Sequence, residues 1–265
     1  MAKLKGLLTY TGSMGGLSAY QMRGVDGIVL REKGGPTKEQ VKKSSRFAMT
    51  RLRNEEWAGN MKAVQQMNLA MQGMRHLGDY NYTGALSKLC RRIQDEDRTQ
   101  ELGRRSVLFS QSGYIVEGFG LNMYHPFDSV LKHPLQYEIE KAAGTAVIEL
   151  PEIIPGIHLS NPMKQPLYRI AFVLGTVADI IYDANKNCYR PVGELTGWNA
   201  VVQTDWQSSN EKTTTQQLEL AIHNWQPQPG FSLVLSAGVE FGQPAAGGYI
   251  QITRYAGAGK VLRVV

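Results

Sequence analysis

Period-two alternation opens the informative part of the chain. Leu17, Ala19 and Gln21 alternate with Ser18, Tyr20 and Met22, Gly24-Val25-Asp26-Gly27 follows, and Ile28, Val29 and Leu30 resume the apolar run. An Asp-Gly pair between apolar runs predicts a β-hairpin, because glycine reaches positive φ without steric cost. Gly34-Gly35-Pro36 ends the second strand, since proline fixes φ and cannot donate to a ladder. Thr37 and Gln40 then stand at capping-box spacing and predict a helix starting at Lys38. Two strands are too few to be stable alone, so the hairpin is either an edge of its own domain or an arm reaching a neighbouring copy.

The next pattern is helical. Val41, Ala48 and Leu52, then Trp57, Met61, Val64, Met67, Met71 and Met74, fall at spacings of three and four and predict an apolar stripe, with Gly59 marking a break. A further helix is predicted over 83–93, capped by Thr83, and the charge-dense segment 95–105 reads as a surface turn or linker. From Ser106 onward the period returns to two. Strands are predicted at 114–116, 146–150, 167–174, 177–182, 198–204, 217–222, 231–237, 248–254 and 260–265, with a Pro-rich linker over 151–166. The expected architecture is α+β: an N-terminal β-hairpin arm (1–36), a helical region (37–105), a β-rich connector and linker (106–166), and a C-terminal antiparallel β-sandwich of immunoglobulin-like type (167–265).

The run from Gly12 to Phe47 resembles the start of two groups of poorly characterised proteins. It carries Gly12, Gly15, Gly16, Tyr20, Arg23, Gly24, Arg31, Pro36, Thr37, Gln40, Arg46 and Phe47. One group comprises phage and prophage proteins with a Gly-x-x-Gly-aromatic segment, a Gly-x-x-Arg strand, a Pro-Thr step and a Gln/Arg-bearing helix. The other comprises proteins of Bacteroidetes-type bacteria with a glycine-rich N-terminus and a β-rich C-terminal half. The resemblance covers about the first sixty residues and brings no catalytic residue with it. It implies a phage-derived or surface assembly rather than metabolism.

Composition narrows the classes. With 265 residues, 42% hydrophobic and 20% charged, the chain has enough apolar content for a sizeable core. Cys90 and Cys188 are expected to be two buried thiols rather than a disulfide, and no apolar stretch reaches bilayer-spanning length. The chain is therefore expected to be cytoplasmic on synthesis, with release in a particle or extracellular assembly left open. The net charge of +6 is uneven: residues 1–110 hold 19 Lys and Arg against 10 Asp and Glu, and the remainder 10 against 13. Head-to-tail association of a basic half with an acidic half is one use of this split, and polyanion contact is another.

Lys38, Lys42 and Arg46 recur every four residues and are expected to share a helix face, with Lys43 and Arg53 nearby. Together with Tyr20, Arg23 and Arg31 they form the candidate assembly or polyanion surface. Catalytic motifs are not recognised. Gly257-Ala258-Gly259-Lys260 lacks the first glycine and the Ser/Thr of a phosphate loop, and Thr11-Gly12-Ser13-Met14-Gly15 lacks the first glycine of a nucleophile elbow. His76, His125, His133, His158 and His223 are scattered without ligand spacing. No catalytic residue, metal or cofactor is expected. The sequence predicts a non-enzymatic structural protein that self-assembles into a filament, tube or virion-like particle. The alternatives are a binding module whose loops 208–215 or 242–247 hold a glycan or peptide, and a nucleic-acid-binding protein.

Overall fold

The computed structural model describes residues 2–4, 10–22, 25–193 and 199–265. The chain divides into two compact units, Met1–Arg51 and Leu52–Val265. The expected boundaries at 105 and 166 fall inside the second.

In the first unit, β1 (Ala2–Leu4), β2 (Gly12–Met14), β3 (Leu17–Gln21) and β4 (Ile28–Glu32) form an antiparallel sheet in the order β1-β4-β3-β2. The predicted hairpin is its centre, with Tyr20 opposite Val29 and Gly27 at φ 91 in the connection. The sheet is wider than that hairpin because a second tight turn precedes it. Gly15 at φ 55 and Gly16 join β2 to β3, with Met14 opposite Leu17. Helix α1 (Lys38–Lys43) starts where predicted, and both halves of its capping box form. It ends at Ser44, whose φ −72 and ψ 135 are extended, and a 3-10 turn, Ser45–Phe47, follows. The Arg51 guanidinium explains the stop: it donates to the carbonyls of Val41 at 2.8 Å and Ser44 at 2.9 Å, satisfying acceptors left free by the broken ladder.

The remaining elements are α2 (Ala48–Ala70), α3 (Thr83–Glu96), α4 (Phe109–Ser112) and α5 (Phe127–Val130), then β5 (Gln136–Glu140), β6 (Thr145–Leu150), β7 (Leu167–Ala178), β8 (Ile180–Asp183), β9 (Cys188–Pro191), β10 (Asn199–Gln203), β11 (Gln207–Ser208), β12 (Gln216–Ala221), β13 (Phe231–Pro244), β14 (Ile250–Ile252) and β15 (Ala258–Val264). The C-terminal region is antiparallel and sheet-rich. β13 pairs with the whole length of β7, from Phe231 opposite Ala178 to Gly242 opposite Leu167, with β10, β11, β14 and β15 beside them. A separate three-stranded sheet runs β12-β6-β5.

Alternation along β7 and β13 sends side chains into two cores. Ile170, Phe172, Leu174, Leu235 and Phe241 pack with Ile148, Leu150 and Leu220 of the small sheet. Val173, Val177 and Val234 pack on the other side with Val64, Met67, Met71 and Met74 of the helical layer. A strand buried on both faces reads as a continuous apolar run, which is why 167–174 and 231–237 were legible as strands and their ends were not.

Several expectations are corrected here. Residues 167–174 and 177–182 do not form two strands meeting at a gap: β7 runs through Gly175, where a Cβ would lie 2.3 Å from the Ala70 carbonyl oxygen, so the glycine admits the helix end rather than making a turn. Gly59 is likewise no break. It lies inside α2, where a Cβ would meet the Tyr189 ring at 2.5 Å. Val64, Met67, Met71 and Met74 of the expected stripe are buried, but its earlier part departs: Trp57 is 54% exposed while Glu56 and Asn60 are fully buried. Residues 114–116 form a 3-10 turn, Gly113–Val116, not a strand. Thr83 does not cap α3; its backbone N–H donates to Asn81 Oδ1. The segment expected as a Pro-rich linker contributes Ile153 and Leu159 to the core beside the small sheet. Both cysteines are free, Cys90 buried and Cys188 exposed.

Candidate functional site

Residues directly opposite in an antiparallel ladder share a face, so the registers sort the first unit's side chains. Met14, Leu17, Ala19, Ile28 and Leu30 lie on one face, and Ser13, Ser18, Tyr20, Val29 and Arg31 on the other. The first face, which also carries Gln21 and Glu32, has an exposed apolar end where Met14 is 64% exposed and Leu17 39%, while Ala19 on the same face is buried. Among the described side chains of Met1–Arg51, only Ala19 and Val29 are buried. On the second face the Arg31 guanidinium sits 5.6 Å from the Tyr20 ring centroid, a cation–π contact. Arg23 lies outside the described residues.

The basic residues are not one stripe. Lys38, Lys42 and Lys43 are exposed on α1, but Arg46 lies beyond the break at Ser44, in the 3-10 turn, so the four-residue spacing does not place it on their helix face. Arg53 belongs to the second unit and lines a cleft of about 600 Å3 with Trp57, Arg91 and Arg105. None of Lys38, Lys42, Lys43, Arg46 or Arg53 forms an ion pair among the described residues.

Two fully buried carboxylates, Glu56 and Glu240, were missed. Glu56 accepts from Arg105 Nε at 2.6 Å, Arg105 Nη2 at 2.9 Å and the Gly103 backbone N–H at 3.0 Å, and pairs with Arg91 at 2.9 Å. Burial alone would raise its pKa, but the Arg105 and Gly103 hydrogen bonds and the two guanidinium charges together hold it below the ordinary value. Segment 95–105 is therefore built structure rather than a loose linker. Asp97 accepts from Ser106 and Thr99, the Tyr189 hydroxyl donates to the Gly103 carbonyl, and Gln94 donates to the Arg105 carbonyl.

The second carboxylate, Glu240, is fully buried on the helix-facing side of β13. Its Oε2 accepts from Arg169 Nε at 2.6 Å, its cross-strand partner, and its Oε1 lies 2.8 Å from His76 Nε2. Arg169 in turn stacks 4.6 Å from the Trp206 ring centroid. Burial opposes ionisation of Glu240, and the His76 and Arg169 contacts outweigh it, leaving the pKa lowered. A Glu inside a long apolar strand was the sequence signal for this cluster, since such a residue requires a partner.

Ala258, Gly259 and Lys260 lie in β15, and the Lys260 ammonium pairs with Asp128 at 2.8 Å. His133 and His158 stack edge to face at 4.8 Å between ring centroids. Among the described residues no group of three or more His, Cys, Asp or Glu is placed to hold a metal ion, and no helix is long and apolar enough to cross a membrane. Loop residues Ser209 and Asn210 line a cleft of about 600 Å3 with Asn161 and Lys164, and the buried Ser209 hydroxyl has no hydrogen-bond partner among the described residues. No protein-family model, curated protein or solved structure matches the chain.

Proposed function

We propose that this chain is a non-enzymatic structural protein whose copies assemble through the N-terminal sheet into a filament, tube or virion-like particle. The observation that supports this reading is the sheet of Met1–Arg51, which leaves the cross-strand pair Met14 and Leu17 exposed at one end of a face and, among its described side chains, buries only Ala19 and Val29. A small sheet without a core gains stability by burying such a face against something else, and a second copy supplies a matching one. Its edge strands, β1 and β2, also present unpaired backbone groups of the kind that pair with another chain. The resemblance of residues 12–47 to phage proteins points the same way.

On this reading Tyr20, Arg23, Arg31, Lys38, Lys42, Lys43, Arg46 and Arg53 lie at or beside the contact between copies, the cations facing the acid-rich C-terminal half of a neighbour. The two packed sheets of the second unit serve as a β-sandwich scaffold. Helices over one face of the large sheet set it apart from an immunoglobulin-like domain, whose outer faces are polar.

The test uses the full chain carrying Met14→Lys and Leu17→Lys, both at exposed positions, followed by size-exclusion chromatography with light scattering. The reading expects the wild type as a large species and the variant as a monomer. Identical large species from both chains would remove the sheet face as the connector. A second reading, a binding module for a glycan, is favoured by the unpartnered Ser209 hydroxyl beside its cleft. Specific retention of the monomer on a glycan array, lost in Asn210→Ala, would support it.

A further inference from the structure

The geometry points to the cleft beside His76 as a binding site for a small organic anion, a carboxylate carried on a short apolar or aromatic body. The cleft encloses about 420 Å3, within the usual range for small-molecule sites, and its lining includes His76, Leu77, Ile252, Thr253, Arg254 and Tyr255. All its lining residues belong to the second unit.

Three observations specify the ligand. The first is charge. The lining carries a guanidinium and an imidazole but no carboxylate, and Arg254 makes no ion pair among the described residues. The Glu240 carboxylate that holds His76 is matched by Arg169 from its other side, and Asp79, next to the lining Gly78, accepts from the backbone N–H groups of Met123 and Tyr124. One unpaired cation and one imidazole suit a single carboxylate better than a chain of phosphates.

The second is orientation. His76 is 43% exposed at its side chain, yet its ring is fixed through Nε2 by the fully buried Glu240. A half-exposed surface histidine ordinarily turns freely. Here a buried carboxylate commits one ring nitrogen, and the other, Nδ1, has no partner among the described residues. With Nε2 committed to Glu240 the ring is held in a set position, and Nδ1 donates to a carboxylate ligand when the ring carries both protons.

The third is the frame. Asn122, itself buried, donates through Nδ2 to the carbonyls of Leu77 and Gly257 at 2.7 and 3.0 Å, and accepts from the Gly259 N–H at 2.8 Å. It thereby ties together the two chain segments that wall the cleft. Tyr255 on that wall has φ 62, a left-handed conformation that disfavours bulky side chains, and is 58% exposed. Leu77, Ile252 and this ring supply the apolar surface for the body of the ligand.

The test titrates the full chain with phenylacetate and hexanoate, and with phenylacetamide and hexanamide as neutral counterparts, by calorimetry and by the ring signals of His76 in NMR spectra. The acids are expected to bind saturably, to move the His76 signals, and to exceed the amides by about tenfold, the size of a charge-assisted hydrogen bond. Arg254→Gln, at an exposed and unpaired position, is expected to keep the fold and to lower acid affinity by about tenfold. Equal binding of acids and amides, silent His76 signals at saturation of solubility, or an unchanged affinity in Arg254→Gln would each overturn the proposal.

Discussion

Replacing Glu56 by Gln keeps the side-chain volume and removes the charge that holds α2, α3 and segment 97–106 together. The carboxylate is fully buried and contacts two guanidinium groups and one backbone N–H, so the variant leaves Arg91 and Arg105 close to each other without their anion. Removing one partner of a buried ion pair costs about 3–5 kcal/mol. The low end applies, because the Arg91 and Arg105 side chains keep 27% and 17% exposure and both also reach Asp95, at 3.2 and 2.9 Å. A loss of about 3 kcal/mol lowers Tm by about 6–12 °C for a unit of this size, readable by circular dichroism. The pH dependence is a second signature. Glu56 has a lowered folded pKa, so its contribution is present above the unfolded value near 4.5 and is lost as pH falls through the folded one. The gap between wild type and Glu56→Gln should therefore close in acid. The double variant Glu56→Met with Arg105→Met should recover part of the loss, since an apolar replacement of a buried pair is often neutral. A Tm within about 2 °C of wild type at neutral pH, well under the shift expected for a broken buried pair, or a gap that does not change with pH would refute the reasoning.

Two further changes probe the layers. Gly175→Ala puts a Cβ 2.3 Å from the Ala70 carbonyl oxygen, and backbone cannot rotate aside, so a loss of about 3 kcal/mol is expected by chemical denaturation, whereas Gly84→Ala, exposed on α3 with open space around it, should gain about 0.5–1 kcal/mol. Equal effects from the two would contradict the direct seating of the helix end on β7. Asp179, buried and accepting from the Ser110 backbone and hydroxyl, has its pKa raised by burial, which the Ser110 contacts offset only in part. Its stabilising contribution exists below the unfolded pKa near 3.8 and is lost as pH rises through the folded value, so Asp179→Asn should be neutral or stabilising at pH 7, with the gain fading in acid; marked destabilisation at pH 7 would reverse the assignment.

How much of this was legible in the chain depends on whether a feature is local. The hairpin at Asp26-Gly27 and the start of α1 at Lys38 are set by turn and capping chemistry within four residues, and both stand where predicted. The strands β6 and β10 carry β-branched residues and β12 alternates Leu218 and Leu220 with polar neighbours, and all three are placed within a residue or two. What failed was set by distant partners. Gly59 and Gly175 look like breaks until Tyr189 and Ala70 are placed against them. Glu56 and Glu240 look like surface charges until Arg105, Arg169 and His76 arrive from positions 49, 71 and 164 residues away. The basic spacing of Lys38, Lys42 and Arg46 suggested one face, but Arg51 ends the helix between them. The candidate cleft draws on residues 76–78 and 252–257, whose separation along the chain concealed it.

The most direct measurement of the central claim is light scattering of the purified full chain over a range of concentrations, with negative-stain microscopy of the same samples. The account predicts a species of many copies with a repeating form, whose mass changes little with added salt because apolar burial by Met14 and Leu17 outweighs surface ion pairs of about 0–1 kcal/mol each. A single monomeric mass at every concentration, with no ordered particles in the micrographs, would contradict it.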